Sequence, residues 1–154
     1  MDYRVAVIEL PSRDVFYRRG KLNDYVEIPD FVKSSTDMCK TFSPNTEIVE
    51  GGYRYVSFPV KPETGKPVDV EFAIEVRKPG SGSGDIGFKT LAATDAVGVR
   101  HKGPYDEMGD AYTLLVNWMF SNGIRASEPP RECYIKGPWE IRNKHEWITE
   151  IQIP

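Results

Sequence analysis

Between residues 97 and 123 the spacing of apolar positions changes from strand-like to helical. Val97 and Val99 belong to a strand, and Met108, Ala111, Tyr112, Leu115 and Met119 then recur every three or four residues, forming one stripe of an amphipathic helix. Gly103 and Pro104 are expected to open that helix, because proline suits a first helical position, where its missing N–H would lack a partner anyway. Asp106, Glu107 and Asp110 place negative charge at the positive end of the helix dipole. Asn122-Gly123 closes it, glycine being free to take the left-handed conformation common at helix ends.

Elsewhere the period is mostly two. In residues 68–76, Val68, Val70, Phe72, Ile74 and Val76 form one face and Asp69, Glu71, Ala73 and Glu75 the other. Residues 53–59 alternate in the same way, with Arg54, Val56 and Phe58 opposed to Tyr53, Tyr55 and Ser57. Further strands are expected over residues 3–10, 15–19, 87–91, 95–101, 131–135 and 147–153. In the last of these, Trp147, Thr149, Ile151 and Ile153 lie under the long helix while Ile148, Glu150 and Gln152 face away. A second helix is expected from Pro29 to Phe42, with Phe31, Val32, Ser35, Met38, Cys39 and Phe42 inward. It is intrinsically weak, since Ser34, Ser35, Thr36 and Asp37 are poor helix-interior residues. Burial must hold it. Ser43-Pro44-Asn45 begins the loop that follows.

The flexible stretch KPGSGSG, residues 78–84, falls at the midpoint, within a linker spanning residues 78–86. On either side the order is strand, strand, helix, strand, strand. VDVEFAIE from Val68 also lies over WITEIQIP from Trp147, setting Glu71 against Glu150. The expectation is one α+β domain, residues 1–154, built as tandem ββαββ repeats (residues 1–79 and 84–154). It has two antiparallel sheets, a helix packed on each, a pseudo-twofold relation and a ligand cleft between the halves. Glu71 and Glu150 would line that cleft, with Tyr55 and Tyr134 as aromatic walls. Trp139, in a long loop, either covers the pocket or anchors the loop by tucking into the fold. A carboxylate in such surroundings is expensive to leave unpaired, so Glu150 would select a flat cationic ligand or serve as a general base.

Composition narrows the chemistry. With 40% hydrophobic and 28% charged residues and a net charge of -3, the chain is globular and shows no broad basic surface for nucleic acid. Arg18, Arg19 and Lys21 read as a solvated strand end. Cys39 and Cys133 are in no metal-ligand spacing and read as small buried hydrophobes of a reduced, cytoplasmic protein. No apolar run reaches membrane-spanning length. His101 reads as a surface turn residue, and neither it nor His145 belongs to a metal motif, so no metal or cofactor is expected. The GxGxxG string from Gly82 to Gly87 precedes a strand rather than a helix and reads as linker. Trp118 reads as core.

HKGPYDEMGDAYTLLVNWMFSNG, PPRECYI and EWITEIQIP, in that order, resemble the second half of the GyrI-like (gyrase-inhibitor-like) small-molecule-binding family. DYVEIPDF and VDVEFAIEV match the first half more loosely. The family includes the effector-binding domains of multidrug-sensing transcription activators, and the resemblance implies tandem ββαββ halves with a ligand cleft at their junction. It also implies that Glu150 contacts cationic ligands and that Tyr134 lines the pocket. Those activators carry a helix-turn-helix before this domain, whereas this chain starts at the first strand, which implies a stand-alone binder without direct nucleic-acid contact. The expected function is binding or sequestering amphipathic, cationic aromatic compounds, as a monomer or homodimer. The alternatives are a small hydrolase of reactive electrophiles using Glu150, and an inhibitor acting through a protein partner.

Overall fold

A computed structural model describes residues 3–42, 46–82 and 84–154. Ser43, Pro44 and Asn45, expected to begin a loop, Ser83 of the linker and the side chain of Phe42 lie outside the described residues. The fold is α+β, with antiparallel strands and two α-helices among the described residues. Contacts divide the chain into two compact units, Met1–Leu10 with Thr94–Pro154, and Pro11–Ala93.

The first unit contains β1 (Ala6–Leu10), β6 (Thr94–Lys102), α2 (Gly109–Ser121), β7 (Arg131–Lys136) and β8 (Ile148–Ile153). Its strands lie in the order β1-β6-β8-β7. The strand period of two sends Val97 and Val99 of β6 and Ile151 and Ile153 of β8 to one face. There they meet Met108, Ala111, Leu115 and Met119, the helical stripe read from sequence. Trp118 packs against the edge of this core. The helix begins later than its glycine and proline suggest. Pro104 has extended backbone angles and caps a 3₁₀ turn, Tyr105–Glu107, and α2 proper starts at Gly109. Its far end is as expected, with Gly123 at φ +66° just past Asn122.

One expectation fails outright. His101 is no surface residue: it is 2% exposed. Strand parity sends it to the same face as Val97 and Val99, where Tyr3 Oη lies 2.9 Å from Nδ1 and the Pro104 carbonyl oxygen 3.0 Å from Nε2. The charge of Lys102 and the adjacent glycine suggested a turn, but the strand runs on through Lys102.

The second unit contains β2 (Arg13–Leu22), α1 (Ile28–Phe42), β3 (Arg54–Ser57), β4 (Val68–Glu75) and β5 (Ile86–Leu91), with strand order β3-β4-β2-β5. Helix α1 follows a 3₁₀ turn, Tyr25–Glu27, closed by an Asp24–Glu27 capping box. Three of its four poor helix formers, Ser34, Ser35 and Thr36, are tied down by side-chain hydrogen bonds. Arg18 donates to the hydroxyls of Ser34 and Ser35 at 3.0 and 3.1 Å, and Thr36 back-bonds to the Val32 carbonyl at 2.8 Å. Arg18 also lies over the Phe31 ring, so this member of the basic knot is a helix-docking residue rather than a solvated one. At Gly20 a Cβ would stand 3.0 Å from Phe31, which is why the strand carries no side chain there.

The two units share a sheet order. Each has a strand–helix–strand–strand core, β2-α1-β3-β4 or β6-α2-β7-β8, with one further strand flanking the first. That flanking strand is the unforeseen part. It is β5 for β2 and β1 for β6, so each core takes its edge strand from the far side of the 78–86 linker. No helix among the described residues is long and apolar enough to cross a membrane.

Candidate functional site

Glu71, Glu150 and Glu132 are buried or half-buried strand residues, and their partners separate them. Glu71 on β4 stands opposite Arg19 on β2. It accepts from Arg19 Nε at 2.9 Å and from Lys89 Nζ at 2.5 Å, with Tyr55 Oη 3.5 Å away. Burial would raise its pKa, but the bonds from Lys89 and Arg19 prevail and hold the carboxyl below the usual range. Glu150 on β8 is its counterpart, opposite Arg100 on β6. It accepts from Arg100 Nε at 2.8 Å and from Gln152 Nε2 at 2.8 Å. Its side chain is only 13% exposed, yet its charge is already answered within the protein.

Glu132 on β7 is different. It faces Ile151 across the ladder, and Tyr134 faces Thr149. Since Ile151 belongs to the core under α2, alternation turns Glu132 and Tyr134 toward that helix. Tyr112, on the flank of α2, donates to Glu132 Oε2 at 2.5 Å, and Tyr134 donates to Oε1 at 3.0 Å. The residue is 5% exposed, and among the described residues no cation pairs with it. Burial raises its carboxyl pKa against the lowering pull of the two hydroxyls. Burial and the adjacent Glu132 push the Tyr134 phenol well above its ordinary value, so that hydroxyl stays a donor.

A cluster of aromatic rings continues from Tyr134. Tyr105 lies 5.1 Å from Tyr134 and 4.9 Å from Trp147, and Trp139 lies 5.9 Å from Tyr134. The loop bearing Trp139 is anchored. The indole packs so closely on Gly137 that a Cβ there would come within 2.3 Å of it, and Trp147 Nε1 donates to the Ile141 carbonyl at 2.8 Å. The Thr149 hydroxyl is also buried here, with no hydrogen-bond partner. A buried acid beside aromatic rings is a setting in which a cation with apolar surface would be stabilised. No group of acids, histidines and cysteines among the described residues is arranged to hold a metal ion.

The residues singled out from sequence thus fall into separate places. Tyr134 touches both Glu132 and the ring of Trp139. Tyr55 meets Glu71 in the other unit. Glu150 points to the opposite face of its sheet from Tyr134. Glu132 itself was missed, although a signal was present: two residues before Tyr134 in a strand, it must share that residue's face.

The GyrI-like small molecule binding domain profile matches residues 5–154. The C-terminal domain of EcmrR is similar in structure, with 33% identity, a TM-score of 0.90 and coverage of 100% of this chain and 98% of that one. EcmrR in complex with DNA gives 33% identity and a TM-score of 0.91, and this chain spans 57% of that longer chain. More distant likenesses, which bear on the fold alone, include SAV2435 bound to tetraphenylphosphonium (17% identity, TM-score 0.57, coverage 100% and 93%). A hydrolase from Listeria innocua is similarly distant (12%, 0.61, 98% and 91%). No curated protein matches the chain. This chain belongs to the GyrI-like small-molecule-binding domain family.

Proposed function

We propose that the chain binds amphipathic organic cations, aromatic ones above all, at Glu132, with Tyr112 and Tyr134 orienting the carboxylate and Tyr105, Trp139 and Trp147 supplying ring contacts. One observation carries this reading: Glu132 is a buried carboxyl bonded to two hydroxyls, and among the described residues no cation answers its charge. A cationic ligand removes that cost, whereas Glu71 and Glu150 already hold arginines. The tetraphenylphosphonium bound by SAV2435 has the same chemistry, a delocalised charge inside an aromatic shell, and is a fitting probe. We also read the two units as degenerate copies of one supersecondary unit, supported by their common sheet order and by the matched Arg19–Glu71 and Arg100–Glu150 pairs.

The test is a thermal-shift panel of hydrophobic cations and neutral compounds of equal shape. Cations should raise the melting temperature of the wild type and leave Glu132→Gln nearly unmoved, with neutral compounds weak on both. Equal stabilisation of both proteins would overturn the reading.

A further inference from the structure

Helix α2 buries Ala111, Leu115 and Met119 yet leaves Val116 and Phe120 in solvent, 54% and 87% exposed. Single exposed apolar side chains are ordinary on any protein surface. These two are placed in relation to the site. They follow Tyr112 at successive steps of four, so all three share one flank of the helix. Tyr112 is the residue whose hydroxyl meets Glu132. The flank therefore begins at the buried carboxyl and runs roughly 12 Å along the helix axis, eight residues at the helical rise, to the ring of Phe120. It carries no charged residue between Tyr112 and Phe120. One end calls for a cation and the rest for hydrocarbon.

We propose that this flank receives the apolar tail of a ligand whose cationic head sits at Glu132, so that the preferred substrates are long-tailed amphiphiles such as alkyl quaternary ammonium compounds. The inference rests on the Glu132 reading and adds to it a second contact region and a preference for length. Binding in this manner covers Val116 and Phe120 only when the tail is long enough to reach them. Short-tailed cations use the carboxylate and the rings alone.

Calorimetric titration with butyl-, octyl- and dodecyl-trimethylammonium, below their micelle concentrations, tests this on three forms of the whole 154-residue chain: wild type, Glu132→Gln, and a Val116→Ser/Phe120→Ser double variant. Both serine positions are exposed, so the fold should be kept. Full burial of one methylene is worth up to about fourfold in affinity, and partial cover along an open flank should still give octyl at least about tenfold over butyl on the wild type. The double variant should compress that ratio below about threefold and leave butyl affinity unchanged. Equal wild-type affinities across the series, still lost in Glu132→Gln, would overturn the tail contact and spare the head-group reading. An unchanged length dependence in the double variant would likewise overturn it. So would a dimer that the double variant dissociates while affinity for every tail falls equally, since a second copy of the chain would then cover the flank. No binding by any member, or equal binding by Glu132→Gln, would remove the head-group reading and this inference together.

Discussion

A carboxyl held by hydroxyls and a carboxyl held by cations answer pH in opposite directions, and Glu132 and Glu71 are an example of each. The folded-state pKa of Glu132 lies above the ordinary glutamate value of 4.5. Its neutral form therefore favours the fold below that value, and the contribution is lost as pH rises through the raised folded value. Glu71 lies below 4.5, so its ion pairs support the fold above the ordinary value, and that support is lost as pH falls through the lowered one. Melting curves between pH 3 and 8 should separate them. The stability advantage of wild type over Glu132→Gln should shrink with rising pH, and its advantage over Glu71→Gln should grow. At neutral pH, Glu71→Gln should cost about 1.5–3 kcal/mol, the range for hydrogen bonds to a charged group. Parallel curves would show that one of these carboxyls is not in the surroundings described.

At the scale of elements, α2 positions the site by covering one face of β6, β8 and β7. Leu115 is its largest fully buried side chain, in a core shared with Val99 and Ile151. Leu115→Ala should cost about 2–5 kcal/mol. Because Tyr112 rides on the same helix, the variant should also weaken cation binding in the protein that remains folded, as chemical denaturation and titration of one sample would show. A loss of stability with unchanged affinity would mean that Tyr112 does not depend on the packing of α2. The sequence displayed this helix well, because five apolar positions at helical spacing and a glycine stop agree with one another. It showed the start less well, since Gly103 and Pro104 suit both a helix and the 3₁₀ turn that precedes it.

Across the whole molecule, the kind and order of elements were legible within single stretches, and the pairing of β1 with β6 and β5 with β2 was not. The order of strands and helices follows from local period and punctuation. The exchange of β1 and β5 does not, because pairing partners distant in sequence leave no mark on spacing. The site shows the same divide. Trp139 was marked by residue type, and Tyr134 and Glu150 by strand pattern together with the family resemblance, whereas the arginine partner of Glu150, fifty residues away, is visible only in the fold. His101 was misplaced for a related reason: its burial depends on Tyr3 and Pro104, brought together by the β1–β6 pairing and the turn after it.

The central claim is that the uncompensated charge of Glu132, and not that of Glu150, recognises the ligand. Isothermal titration of tetraphenylphosphonium into wild type, Glu132→Gln and Glu150→Gln at neutral pH tests it most directly. The account predicts that Glu132→Gln weakens binding by at least about tenfold, corresponding to roughly 1.4 kcal/mol, while Glu150→Gln stays within about threefold of wild type. The reverse order, or equal affinities in all three proteins, would contradict it.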